Sequence, residues 1–136
     1  MKLERINIPG GGIHLIATIK IAGKSARFIV DTGASESALC PAWVLRHGLS
    51  TVKSSRFVVG ATSNSSNAHQ LLTPGGILVG VHSIPTQGLL VVALGGVQSM
   101  YKSLGATPPD GLLGNDVLAK FGAVLDMKKE TLKFKA

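Results

Sequence analysis

Residues 28–35 read Phe28-Ile29-Val30-Asp31-Thr32-Gly33-Ala34-Ser35. Three consecutive apolar residues, two of them β-branched, favour a buried strand. That strand delivers one carboxylate, Asp31, into a turn whose Gly33 can take backbone conformations denied to other residues. Thr32 adds a short hydroxyl able to tie the loop to a neighbouring chain. The pattern predicts a carboxylate held rigidly at the edge of a buried sheet, as a preorganised site requires. An Asp-Thr-Gly tripeptide is also a common turn in which Asp bonds to its own backbone, so the surrounding sequence has to decide between the two.

Working outward, residues 13–22 alternate as a strand does, and Gly23-Lys24 marks a tight turn into residues 27–30. A hairpin ending directly at Asp31 is expected. Pro41 suits a first helical residue, Trp43, Val44 and Leu45 continue it, and Gly48 suits its stop. Leu39, Trp43 and Leu49 are expected to face the core. Residues 56–59 read as a strand and 60–68 as a small polar tip. Residues 70–81 and 88–94 read as the returning strands of a meander, and 95–110 as irregular. Asn115 or Asp116 is placed to cap a short helix over 117–121 that Gly122 ends. Residues 123–127 and 131–134 form a last hairpin. Two stretches share a plan of apolar strand, glycine-containing loop, short helix, glycine and apolar strand, one around Phe28 to Leu49 and one around Leu112 to Val124. An internal two-fold repeat is therefore expected.

Bulk properties narrow the class. The 136 residues suit one domain, spanning 1–136 with a core over about 13–134. At 45% hydrophobic and 15% charged the chain is built to fold rather than to stay disordered. The 17 glycines and few aromatics fit short strands joined by turns. The single cysteine, Cys40, has no partner for an intrachain disulfide and no recognisable histidine pairing, so it reads as a buried structural thiol rather than a nucleophile.

A net charge of +7 raises the question of nucleic acid, but the basic residues are scattered, with only Lys128 and Lys129 adjacent, and no recognition motif accompanies them. No nucleic-acid partner is expected. Between Phe57 and Tyr101 no Asp, Glu, Lys or Arg occurs, yet Pro74, Pro85 and several glycines interrupt the stretch. Its longest apolar run, Leu89 to Leu94, is far short of the ~20 residues a spanning helix needs. Residues 1–12 have no apolar signal-peptide core. If the chain is full length, a cytoplasmic protein without a membrane partner is expected. His14, His47, His69 and His82 are too dispersed for a metal site, and Pro9-Gly10-Gly11-Gly12 lacks the lysine and helix of a phosphate loop. No metal or cofactor is expected.

The run of apolar residues, Asp-Thr-Gly-Ala and Ser resembles the active-site signature of aspartic proteases. About 80 residues later, Gly111-Leu112-Leu113-Gly114-Asn115-Asp116-Val117-Leu118 and then Lys120-Phe121-Gly122-Ala123-Val124-Leu125-Asp126 resemble the second half of retropepsin-like domains. The resemblance spans most of 13–134. It implies an all-β, barrel-like acid-protease fold with a flap hairpin, one or two short helices, and a homodimer.

It also implies a mechanism. Two carboxylates share one proton across a water, one taking a proton from it while the other polarises the scissile carbonyl. Such a pair titrates as a unit. The chain offers one suitable aspartate, so the second would be Asp31 of another copy, with the site on a two-fold axis. By the same resemblance Asp31 is the acid/base residue and Thr32 supplies an interchain hydrogen bond at the dyad. Gly33 contributes its backbone, and Ser35 buttresses the outer carboxylate oxygen. Ala34 stands where many pepsin-type sites carry Ser. One hydroxyl fewer near the dyad implies an optimum at about pH 5–7 rather than about pH 2–3. Residues 60–68 would be the flap that closes over a peptide, with Ala61, Thr62 and Ser63 as substrate contacts. Leu113 would line a mostly apolar subsite, so cleavage between hydrophobic side chains is expected. A rival reading keeps the fold but makes it a catalytically silent dimerisation or peptide-binding module.

Overall fold

The computed structural model describes residues 1–53, 69–72, 76–85 and 89–135. The expected strand at 56–59 and the polar tip at 60–68 lie outside them. Among the described residues the chain is mostly β. The strands are β1 (Glu4–Asn7), β2 (Ile13–Ile21), β3 (Lys24–Val30), β4 (Ala38–Leu39), β5 (Thr51–Lys53), β6 (His69–Leu71), β7 (Ile77–Val79), β8 (His82–Ile84), β9 (Leu90–Val91), β10 (Gly111–Leu113), β11 (Ala123–Asp126) and β12 (Thr131–Phe134). Two helices join them, α1 (Pro41–Arg46) and α2 (Gly95–Ser103).

The hairpin of β2 and β3 forms as read, with its turn one residue earlier than expected, at Ala22-Gly23 rather than Gly23-Lys24. Ala22 and Gly23 both take positive φ, 52° and 77°, matching the right-handed twist of the strands they connect. Helix α1 begins at Pro41 and ends before Gly48, which sits at φ 66°. Cys40 lies just ahead of it, buried, its Sγ accepting a hydrogen bond from Gln98 Nε2 at 3.1 Å.

One curled sheet runs in the order β5-β6-β9-β4-β10-β3-β2-β7-β8, with β1 added alongside β2. The order corrects the expected meander, because sequence neighbours separate in space: β4 pairs in parallel with β9 and β10 in parallel with β3. The expected continuous strand over 70–81 is broken as well. β7 turns back at Gly80 (φ 61°) to pair with β8.

The two stretches of similar plan lie side by side at the sheet's centre, with Phe28, Ile29 and Val30 opposite Gly111, Leu112 and Leu113. Strand residues there alternate between two cores. Phe28, Leu113, Ala17 and Ile19 pack with Trp43 on one face. Ile29, Leu112 and Ile16 pack with Tyr101 on the other. Strands buried on both faces read as unbroken apolar runs, which is how Phe28-Ile29-Val30 and Leu112-Leu113 read.

The second face is covered by α2, and here the structure overturns the expectation of an irregular 95–110. Gly95-Gly96 and Val97 are poor helix formers, and no side chain caps the helix start. Burial of Tyr101, with Val97 and Met100 packed beside it, holds the helix instead. The opposite error occurs at 115–122. Hydrogen bonds such as Leu118 N–H to the Gly114 carbonyl (2.9 Å) and Phe121 N–H to the Val117 carbonyl (3.1 Å) coil the chain through consecutive turns rather than a regular helix.

The final hairpin forms as read, with Ala123 opposite Phe134 and Asp126 opposite Thr131. Asp126 accepts the Lys129 backbone N–H at 2.8 Å, closing the turn through the main chain rather than an ammonium. The chain's first residues extend this hairpin: Leu132 N–H donates to the Met1 carbonyl at 2.9 Å and Leu3 N–H to Glu130 at 2.8 Å.

Candidate active site

Asp31 leaves the end of β3 with its backbone still engaged. Its N–H donates to the Leu113 carbonyl at 2.9 Å, extending the parallel ladder by one bond. Its Oδ1 accepts the Gly33 N–H at 3.0 Å, and its carbonyl accepts the Ala34 N–H at 3.2 Å. These bonds fold residues 31–34 into a tight loop that keeps the carboxylate at the sheet edge. Thr32, Gly33 and Ser35 are exposed, and Asp31 and Ala34 are partly so.

Residues 114–116 clamp the outside of the loop. Asn115 Nδ2 donates to the Thr32 carbonyl at 2.7 Å, Asn115 N–H to the Ala34 carbonyl at 2.9 Å, and Asp116 N–H to the Ser35 carbonyl at 3.2 Å. Beneath them Ser37 is buried at 1% exposure. Its hydroxyl donates to Asp116 Oδ1 at 2.7 Å and accepts the Gly114 N–H at 2.9 Å, while its own N–H donates to the same carboxylate oxygen at 2.9 Å. Gly114 must be glycine for reasons of space: a Cβ there would stand 2.8 Å from the Ala34 carbonyl oxygen and 2.9 Å from Glu36.

Asn115 and Asp116, expected as helix caps, are thus spent on holding the Asp31 loop. Sequence reasoning missed Ser37, Asn115 and Asp116 as supports, although the Gly111 to Leu118 segment had been singled out. Ser35 contributes its carbonyl, and among the described residues no hydrogen bond joins its hydroxyl to Asp31. Ala61, Thr62 and Ser63 lie outside the described residues.

The three other aspartates are occupied structurally. Asp110 accepts the Arg27 N–H at 2.8 Å and pairs with Arg46 at 3.4 Å. Asp116 binds Ser37 and Asp126 closes the last hairpin. Asp31 alone projects from an exposed loop.

A cavity of about 250 Å³ opens beside it, lined by Ile13, His14, Ile29, Val30, Asp31, Thr32, Val97 and Leu112. Leu113, expected to line a subsite, does not border this cavity. Leu113 has no exposed surface and belongs to the core with Phe28, whereas Leu112 faces the cavity. The reason is strand alternation: neighbouring residues of β10 point to opposite faces. Among the described residues no group of three His, Cys, Asp or Glu could hold a metal ion, and no helix is long and apolar enough to cross a membrane.

Comparison with known proteins agrees with this geometry. The family described as "gag-polyprotein putative aspartyl protease" matches residues 17–120. No curated protein matches in sequence. Among solved structures, the retroviral protease-like domain of Ddi1 from Leishmania major aligns with a TM-score of 0.57 at 16% identity, covering 90% of this chain and 88% of that one. A retropepsin-like aspartic protease from Rickettsia conorii aligns with a TM-score of 0.56 at 20% identity, covering 92% and 86%. Both likenesses are of fold. With a family match over most of its length and this architecture, the chain belongs to the retropepsin-like aspartic protease family.

Proposed function

We propose that the chain is an aspartic endopeptidase that works as a homodimer, with Asp31 of each copy sharing one catalytic water. The observation that carries this reading is the Asp31 loop itself: a partly exposed carboxylate whose backbone is tied to both halves of the domain. Such fixing is what a group needs if it is to meet a second carboxylate at hydrogen-bond distance. Asp31 in one copy takes the water proton and Asp31 in the other, protonated, donates to the scissile carbonyl. Thr32 bonds across the dyad, and Gly33 offers its backbone to the substrate. Support for the dimer is chemical, since one carboxylate is half of the machinery and the other aspartates are engaged elsewhere. Exposed Val124 and Met127 on the last hairpin add apolar surface suited to a partner copy.

The substrate lies in the cleft beside Asp31, with Ile13, Ile29, Val97 and Leu112 favouring apolar side chains. The test is cleavage of an unbiased peptide mixture by the wild type and by Asp31→Asn between about pH 3 and 8, with pepstatin in parallel. Cleavage that falls by about 10²–10⁴-fold in the variant, and that pepstatin stops, is the expected result. A folded, dimeric wild type that cuts nothing would instead favour the silent peptide-binding module.

A further inference from the structure

We propose that His14, oriented by Tyr101, forms a polar subsite beside Asp31 that accepts a substrate side chain ending in a carbonyl or carboxylate oxygen, that of Gln, Asn, Glu or Asp. The inference rests on the reading of Asp31 as the catalytic group and adds a specificity element to it.

Apart from Asp31 and Thr32, the described lining of the cavity is apolar but for His14. An imidazole at such a wall needs a reason, and its partner supplies one. His14 Nδ1 lies 2.8 Å from the Tyr101 hydroxyl, with the rings 19° from parallel and their centroids 5.7 Å apart. Tyr101 has no exposed surface. Burial holds its phenol above the ordinary value, the Arg27 charge opposing and the Glu4 charge assisting, so it stays protonated through the neutral range. Arg27 and Glu4 are themselves paired at 2.9 Å.

The consequence for His14 follows from proton placement. Among the described residues Nδ1 is the one hydrogen-bond partner of the buried Tyr101 hydroxyl, so the phenol satisfies its single hydrogen by donating to Nδ1, and a neutral imidazole accepting there carries its own proton on Nε2. If the ring takes a second proton, Nδ1–H donates to the phenol oxygen and Nε2–H is unchanged. In both states Nε2 is a donor, and among the described residues it has no acceptor. A substrate acceptor at this point completes the chain of hydrogen bonds from Tyr101. An apolar side chain seated there leaves the donor unpaired, which is the arrangement that discriminates strongly against analogues lacking the acceptor.

Helix α2 makes the device possible, because it carries Tyr101 under His14 and Val97 into the same cavity. The pair is therefore set by the segment that composition and propensity concealed.

Two readouts test it, one with chemistry and one without. Peptide pools holding one position as Gln, or as the near-isosteric Met, are cleaved by the wild type, His14→Leu, His14→Gln and Tyr101→Phe. The same pools, fluorescently labelled, are titrated against Asp31→Asn and Asp31→Asn/His14→Leu by anisotropy. At one position near the scissile bond the wild type should prefer Gln over Met about tenfold in kcat/KM. His14→Leu should bring that ratio near one, Tyr101→Phe should reduce it, and His14→Gln should restore most of it through its amide N–H. Asp31→Asn should show the same preference in binding, lost when His14 is also replaced.

Cleavage with a Gln-to-Met ratio equal in wild type and His14→Leu overturns the subsite and leaves the peptidase reading intact. Preferential binding by Asp31→Asn without cleavage by the wild type upholds the subsite and overturns the peptidase reading. Binding without preference, or no binding, overturns the subsite.

Discussion

Asp31 is held at the sheet edge by bonds to its own loop and to residues 113–116, and each contact has a separate experimental consequence. Ser37 is the clearest, since one buried hydroxyl serves both Gly114 and Asp116. Ser37→Ala leaves the buried Gly114 N–H unpaired and removes one of the two hydrogen bonds that Ser37 gives Asp116 Oδ1, and should cost about 1–3 kcal/mol, read as a lower urea midpoint with an unchanged slope. Tyr101 sets a limit at the alkaline end. Its folded-state value is raised by burial above the ordinary 10.0, so the folded chain keeps a proton that the unfolded chain releases. The contribution to stability is full below about pH 10 and is lost as pH rises toward the folded-state value. Tyr101→Phe should flatten the fall in stability above about pH 10, measured as melting temperature against pH. Of the proposed site residues, Asp31, Thr32 and Gly33 were legible as a motif. Leu113 was expected at a subsite, but Leu112 borders the cavity beside Asp31, because an apolar pair buried on both faces does not reveal which member does so.

At the scale of elements, legibility followed how local the forces are. The β2–β3 hairpin, α1 and the β11–β12 hairpin were read correctly because turn glycines, Pro41 and short-range alternation specify them. Helix α2 was missed because Gly95 and Gly96 argue against a helix, and only packing against Ile16, Ile29 and Leu112 stabilises it. That conflict is measurable. Both glycines have open space where a Cβ would stand and neither has positive φ. Gly95→Ala and Gly96→Ala should each raise stability by about 0.5–1 kcal/mol, seen as a higher thermal midpoint. Gly114→Ala should do the reverse, losing about 1–3 kcal/mol as the new methyl drives the clamp away from Ala34.

For the whole molecule, the proposed mechanism makes activity a property of the pair. Co-refolding the wild type with a ninefold excess of Asp31→Asn should lower cleavage to about a tenth, because most wild-type chains then sit beside an inactive partner. A peptidase active as a single chain would lose nothing. The rate per chain should also fall on dilution, as dimers separate. A pH–rate profile of the wild type should peak at about pH 5–7, and a maximum below about pH 4 would refute the inference drawn from Ala34.

By itself the sequence determined the class of fold, the strand and loop that carry Asp31, and the likeness of the Gly111 to Leu118 segment to that family. These features rest on contiguous residues, where strand periodicity and turn chemistry act over a few bonds. Only the tertiary structure decided that Phe28 and Gly111 lie in register. It alone brought Ser37, Asn115 and Asp116 around the loop, and His14 and Tyr101, 87 positions apart, within one hydrogen bond. Those pairings depend on how the sheet curls and which faces are covered, and burial of distant apolar residues sets both.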